Sequence, residues 1–264
     1  MTSVLSAREI SVSFGGVRAV IDVSLDVDPG QLVGLIGPNG AGKTTFIDAV
    51  TGFVPHRGAV IIDGMDVTRS PPHARARRGL ARTWQGTELF DDLTVRENLT
   101  VAARHPTMLE TVKELFSSAV SHVDAVDEAI ERLSLGDLTD AMPGELTQGQ
   151  RKMVSVARAL SARPTLLLLD EPAAGLDVQE SAALGHRLRE VVDQGIPMLL
   201  VDHDMGLVLG ISDQLVVIES GVVIGRGTPT EIRENPRVVE AYLGASDRLV
   251  GADGTTPAQP GGDR

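Results

Sequence analysis

The sequence predicts an α/β protein. A largely parallel sheet carries helices, an antiparallel β portion lies near the start, and a helical portion is inserted in the middle. Three observations predict it. Ile21, Val23, Leu25 and Val27 alternate with Asp22, Ser24, Asp26 and Asp28, the period of a strand with one wet face. The runs Leu166 to Leu169 and Met198 to Val201 are wholly apolar, as strands covered on both faces are. Between 108 and 135, by contrast, Leu109, Val112, Leu115, Phe116, Ala119, Val123, Val126, Ile130 and Leu133 recur at helical spacing.

Taken in order, the alternating stretch 17–28 ends at Pro29-Gly30, a turn signal. A short apolar strand, Gln31 to Ile36, then leads through a glycine-rich turn to a helix over 43–51, stopped by Gly52. Ala59 to Ile62 reads as a strand, 72–78 as a short helix and 80–85 as extended chain. Thr94…Glu97, Thr107…Glu110 and Thr147…Gln150 are capping-box patterns. The segment 94–145 reads as a helical sub-lobe. With its joining segments and the helix opened by Thr147, which runs to about Ala162, the helical subdomain occupies about 86–160. A strand at 165–169, a helix at 178–193 and a strand at 198–202 follow. Leu215 to Ile224 forms a hairpin around Ser220-Gly221, and Thr228-Pro229 opens a small helix, with proline at its first position. One domain is expected over 1–244. The tail 245–264 is rich in Gly, Ala, Asp, Thr and Pro and lacks an apolar pattern, so disorder is expected there.

Composition narrows the function classes. A net charge of −12 opposes wrapping nucleic acid, which needs cations to neutralise phosphates. The basic run from His73 to Arg82, with four arginines, reads as a solvated helix face. The absence of cysteine excludes disulfides and thiolate metal sites and fits a reducing cytoplasm. No apolar run follows a basic start, so no secretory signal is expected. No stretch approaches the roughly 20 apolar residues that cross a bilayer. The chain therefore reads as soluble, and any membrane role has to come through a partner. Aromatics make up only 3%, so the core has to be built from Val, Leu, Ile and Ala.

Two segments carry the chemistry. Gly37-Pro38-Asn39-Gly40-Ala41-Gly42-Lys43-Thr44 fits G-x-x-x-x-G-K-[ST] between a predicted strand and a predicted helix, the pattern of a P-loop. Glycines let successive N–H groups turn inward as a nest for anionic oxygens, and the helix start adds its positive end. Lys43 brings a full charge to the outer phosphates, Thr44 a hydroxyl for Mg²⁺, and Thr45 a hydroxyl for the innermost phosphate. The second segment is the apolar strand that ends in Asp170-Glu171. Strand ends of parallel sheets are where ligands sit. Asp170 there suits Mg²⁺, and Glu171 suits orienting and deprotonating a water. Together they predict a P-loop NTPase core that uses ATP and Mg²⁺.

Up to about Gly244 the order of motifs resembles the nucleotide-binding subunits of ABC ATPases. Gln85 stands at that family's Q-loop glutamine and Leu146-Thr147-Gln148-Gly149-Gln150 at its signature. Ala174-Gly175-Leu176-Asp177 is similar to the D-loop, His203 to the switch histidine, and Phe14 to the aromatic that stacks on adenine. The resemblance implies that Gln85 touches Mg²⁺ or the attacking water. It implies that Thr147, Gly149, Gln150 and Asp177 serve ATP held by a second ATPase subunit, a copy or a related paralogue. His203 is expected to hold the γ-phosphate. Gln148 departs from the commoner glycine of the signature, which puts the local packing against nucleotide in question.

A closer resemblance is to the ATP-binding subunits of branched-chain amino-acid importers. It is carried by Gly79-Leu80-Ala81-Arg82-Thr83-Trp84-Gln85, Asp170-Glu171-Pro172-Ala173-Ala174-Gly175-Leu176, Val201-Asp202-His203-Asp204-Met205 and Ala241-Tyr242-Leu243-Gly244. Urea importers and lipopolysaccharide-exporter ATPases share much of this pattern. The resemblance implies integral-membrane permease subunits as partners, docked near 85–99, and indirectly a solute-binding protein. It implies a peripheral place on the inner face of the plasma membrane.

Overall fold

The computed structural model describes residues 2–84, 86, 89–103 and 120–242. Gln85, the capping pattern Thr107…Glu110 and the tail 245–264 lie outside the described residues.

Strands β1 (Leu5–Phe14) and β2 (Val17–Val27) open the chain as an antiparallel pair. With β4 (Arg57–Ile62) and β5 (Met65–Asp66) they form a four-stranded sheet of order β2-β1-β4-β5. The alternation seen in the sequence holds only for part of β2. Val23, Leu25 and Val27 are buried, but on the other side of Asp22 the buried residue is Val20, and Ile21 is half-buried. Asp22 has a left-handed φ of 50° and the register slips beside it. A bulge of this kind moves the inward phase by one residue.

The larger sheet has the order β10-β9-β3-β8-β7-β6. Its strands are β3 (Leu32–Ile36), β6 (Leu80–Arg82), β7 (Leu166–Asp170), β8 (Met198–Val201), β9 (Gln214–Glu219) and β10 (Val222–Gly227). All neighbours are parallel except β9 and β10. That hairpin turns on Ser220 (φ 48°) and Gly221 (φ 82°), two left-handed residues as a type I′ turn requires. Every residue of β3, β7 and β8 is buried, because each face of the sheet covers a different core. Leu32, Ile36, Leu167, Leu169, Met198 and Leu200 face one core. Val33, Leu35, Leu166, Leu168, Leu199 and Val201 face the other, together with the small sheet and helix α1 (Lys43–Thr51).

The first core is completed by α3 (Val95–Ala103), α4 (Val120–Arg132), α5 (Gln148–Leu160) and α6 (Val178–Asp193). The capping boxes at Thr94 and Thr147 form as the spacing predicts: at the first, Glu97 N–H donates to Thr94 Oγ1 at 3.3 Å, and Thr94 N–H to Glu97 Oε2 at 2.8 Å. Buried Asn98 then ties down the loop before α3, donating to the carbonyls of Phe90, Leu93 and Thr94. Helices α7 (Met205–Ile211) and α8 (Pro229–Glu234) finish the fold, and 236–242 is helical. Among the described residues no helix is long and apolar enough to cross a membrane.

The basic run is only in part a solvated face. Arg77 and Arg78 are exposed, but Arg75, on helix α2 (Pro72–Ala76), is 2% exposed. It donates to four carbonyls: Ala49 (2.8 Å), Val50 (2.6 Å), Thr68 (2.9 Å) and Ser70 (3.0 Å). Two of these belong to the last turn of α1, whose carbonyls lack i+4 helical donors; that of Ala49 also accepts from Gly52 N–H at 3.1 Å. A guanidinium there satisfies them and suits the negative end of the dipole. Sequence reasoning placed this arginine in water because the run carries no sign of the turn it would meet.

Candidate nucleotide site

The glycine-rich turn joins the end of β3 to α1 at the centre of the large sheet. Gly37 (φ 157°), Gly40 (φ 78°) and Gly42 (φ 103°) take conformations that side chains resist. At two of them there is also no room. A Cβ on Gly37 would lie 2.1 Å from the Ile218 carbonyl oxygen, and one on Gly42 would lie 2.3 Å from that of Ala19. Helix α1 begins without a side-chain cap, so no side chain competes for its first N–H groups.

Lys43 is 6% exposed and its Nζ donates to the carbonyls of Gly37 (2.8 Å) and Pro38 (3.1 Å). Burial lowers its pKa, against the pull of Glu171, Asp170 and Asp202. Asn39, Gly40 and Thr44 are exposed, Thr45 is half-buried and Ala41 is buried. At the end of β7, Asp170 is 3% exposed. Burial pushes its carboxyl upward, and the Arg82 guanidinium at 2.8 Å opposes this.

Glu171 has φ 49°. A left-handed glutamate is uncommon and costs about 1–3 kcal/mol. The turn ends the strand and lets Glu171 N–H donate to the Val201 carbonyl at 2.7 Å. His203, more than half exposed, places Nδ1 3.9 Å from Glu171 Oε2 and 3.6 Å from Asp202 Oδ1. Both are beyond hydrogen-bond distance. Lys152 on α5 is buried beside Asp202 and Glu171, and burial lowers its pKa.

Three further residues build the site, and the sequence reading gave them no role. Asp202, its side chain fully buried, accepts from Ala173 N–H (2.9 Å), His203 N–H (2.7 Å) and Asp204 N–H (3.0 Å). It therefore joins the turn after β7 to the turn after β8. Asp202→Ala is expected to cost about 2–5 kcal/mol, because one buried and two part-buried donors lose their acceptor. Urea unfolding checks this, and a loss under about 1 kcal/mol would mean that these donors find other partners. Tyr242 comes back from the far end of the chain. Burial pushes its phenol up to about 12, against a hydrogen bond to the Gly37 backbone. Its neighbour Ala241 lines a cleft of about 140 Å³ with Asn39, Gly40 and Ser220. Arg82 pairs with Asp170 and with Asp48. The three share one feature invisible to local pattern: each has a partner in a distant part of the chain, Ala173 for Asp202, Gly37 for Tyr242, and Asp170 and Asp48 for Arg82.

The signature and D-loop segments are organised within their own chain. Thr147 caps α5, accepting from Gln150 N–H at 3.2 Å, and its own N–H donates to Gln150 Oε1 at 2.8 Å. Asp177 caps α6, accepting from Glu180 N–H at 2.8 Å. Gln148 donates to the Ala174 carbonyl at 3.4 Å, and a Cβ on Gly149 would meet Glu180 Oε1 at 3.0 Å. The glutamine that departs from the usual signature thus packs on the D-loop. Phe14, at the end of β1, is 53% exposed, which removes it from the core.

A family model described as ABC transporter matches residues 20–174. A second, described as branched-chain amino acid ATP-binding cassette transporter, matches residues 222–248. The chain is 39% identical over 251 residues to the high-affinity branched-chain amino acid transport ATP-binding protein BraF of Pseudomonas aeruginosa, covering 91% of this chain and 98% of that one. It is 38% identical over 246 residues to the lipopolysaccharide export system ATP-binding protein LptB of Escherichia coli, covering 93% and 99%. Among solved structures it is similar to a nucleotide-free ATP-binding cassette from an ABC transporter, with TM-score 0.80, 31% identity and coverage of 91% and 99%. The ADP conformation of the cassette MJ1267 is also similar, with TM-score 0.80, 30% identity and coverage of 92% and 100%. The phosphate loop, the strand-end carboxylates and these likenesses agree: the chain belongs to the ATP-binding subunits of ABC transporters, a family that binds nucleotide and hydrolyses ATP to power transport.

Proposed function

We propose that this chain is the motor subunit of an importer for branched-chain amino acids or similar small polar solutes. It is held on the inner face of the membrane by integral-membrane permease subunits, and a solute-binding protein delivers the cargo. The observation that carries the motor reading is the strained Glu171, placed beside Asp170 with Lys43 and His203 around it. Strain of this kind persists where surrounding structure enforces it, and it clusters at sites of chemistry.

Lys43 and the inward N–H groups of 37–45 bind the phosphates. Glu171 takes the proton of the attacking water, and His203 keeps that water and the γ-phosphate in line. Exposed Phe14 offers a face to adenine. Thr44, Gln85 and Asp170 would hold Mg²⁺, and their hard oxygen donors fit that ion. Bound there, Mg²⁺ supplies positive charge against the transferring phosphoryl group. Thr147, Gly149, Gln150 and Asp177 serve the nucleotide of a second ATPase subunit, a copy or a paralogue. Their intrachain capping supports this, since it leaves a preformed surface. Exposed Trp84 and Phe90, flanking Gln85, support permease docking near 85–99.

The importer reading draws on the likeness to BraF and on the family match at 222–248. A second reading, an export motor, draws on the nearly equal likeness to LptB. Purifying tagged Glu171→Gln from membranes of its own host with Mg-ATP separates them. Recovery of multi-spanning permeases and a related ATPase supports the importer. Recovery of lipopolysaccharide-export components supports the second reading, and ribosomes or no membrane partner at all would refute both.

A further inference from the structure

We propose that Arg82 is a positioning residue that fixes the Asp170 carboxylate and ties it to the exposed aromatic lip at Trp84. The inference rests on the reading of Asp170 as a metal-holding carboxylate.

Arg82 ends β6, and its backbone pairs with Leu168 on β7. Its side chain thereby lies beside the strand end that carries Asp170. Nη2 donates to Asp170 Oδ2 at 2.8 Å, and Nη1 donates to Asp48 Oδ1 at 2.6 Å and Thr51 Oγ1 at 3.3 Å. The same guanidinium lies 4.2 Å from the centroid of the Trp84 ring. Trp84 in turn meets Phe53 edge-on, with centroids 5.0 Å apart. Exposure changes sharply along this chain of contacts. The Arg82 and Asp170 side chains are 7% and 4% exposed, whereas Trp84 and Phe53 are 45% and 52% exposed. Trp84 lines a groove of about 250 Å³ with Leu80, Thr83, Ala102, Ser155 and Arg158.

A single planar cation therefore spans a buried carboxylate and a ring at the rim of a groove. The task needs arginine: a fork of donors for two carboxylates and a flat face for the ring. Lysine would neutralise the charges but could not hold the three contacts together. The buried Nε of Arg82 has no hydrogen-bond partner among the described residues, so the carboxylates and the ring, rather than satisfaction of every donor, set where the group sits. A shift of Trp84 moves Arg82 and with it Asp170, so the groove and the strand end are mechanically one unit.

The test uses the full chain and a non-hydrolysable ATP analogue, with binding measured by calorimetry across a range of Mg²⁺ concentrations. Arg82→Lys is expected to raise the Mg²⁺ needed for half-maximal enhancement roughly tenfold, the usual effect of losing a residue that orients a metal ligand. Its melting temperature and its affinity in EDTA are expected to stay near the parent's. Asp170→Asn is expected to raise the Mg²⁺ requirement at least as much. Trp84→Leu keeps both ion pairs and changes an exposed residue, so it remains informative if Arg82→Lys fails to fold. Losing the ring face is expected to raise the requirement roughly two- to fivefold. Trp84 is the only tryptophan of the chain, so its emission reports the contact directly. Mg²⁺ with the analogue is expected to shift it in the parent and not in Arg82→Lys. An unchanged Mg²⁺ requirement in Arg82→Lys, or in Trp84→Leu, overturns the proposal while Asp170→Asn still responds. An unresponsive Asp170→Asn overturns the reading of Asp170 itself, and the inference with it. No emission shift in the parent overturns the tie to the lip.

Discussion

Glu171→Gln is expected to bind ATP with near-parental affinity and to lose roughly 10²–10⁴-fold in steady-state hydrolysis, the usual worth of a general base. The substitution keeps the size and shape of the side chain but replaces one carboxylate oxygen by an amide nitrogen, a donor that cannot take a proton, and removes the charge. Its backbone stays at a left-handed φ, so stability should change little. Glu171→Gly separates the two roles of the position. It too should be inactive, yet it should melt at or above the parent, because glycine adopts φ 49° without steric cost. A phosphate-release assay with a thermal melt reads both. Unchanged hydrolysis in Glu171→Gln would remove Glu171 from the base role. A lower melting point in Glu171→Gly would mean that the glutamate side chain stabilises the turn more than the strain costs.

The second large effect is expected at Lys43. Its ammonium lies within the loop, against the carbonyls of Gly37 and Pro38, and it also faces Glu171, Asp170 and Asp202. Lys43→Ala therefore acts twice. It removes a charge-assisted hydrogen bond to phosphate, about 1.5–3 kcal/mol or roughly ten- to a hundredfold in Kd. It also leaves an anionic ligand facing carboxylates whose screening cation is gone. Titration calorimetry should show a Kd for ATP raised by at least about a hundredfold. A parental Kd would mean that the backbone nest alone holds the phosphates.

Which parts of this were legible in the sequence follows from the range of the forces involved. Capping boxes are made within one turn, so Thr94, Thr147 and Thr228 announce their helices in four residues. The P-loop is likewise contiguous. Strands buried on both faces show themselves by having no polar member, as β7 does before Asp170. The alternation in β2 groups Ile21 with the inward residues, whereas the bulge at Asp22 shifts the phase there and leaves no mark in the sequence beyond an ordinary aspartate. Arg75, Arg82 and Asp202 were illegible for a different reason. Each is a polar side chain whose burial depends on at least one partner from another element. A sequence shows the charge and not its company, so a solvated surface was the natural expectation. The strain at Glu171 was also hidden, since glutamate carries no preference for the conformation it adopts.

The position of β3 has a consequence for how the protein is made. The phosphate motif leaves the ribosome early, but both strands that flank β3, and the Ile218 carbonyl that fits against Gly37, come after residue 197. At synthesis rates of about 5–20 residues per second, the motif waits on the order of ten to forty seconds for its walls. Nascent or truncated chains that stop before β9 carry the whole motif and no finished site. ATP can therefore lend the full binding energy of the site only to chains that extend past β9. During synthesis the central strand stays without its flanking strands in that interval, and only its Val33 and Leu35 face, which meets β1, β2 and α1, can be covered early.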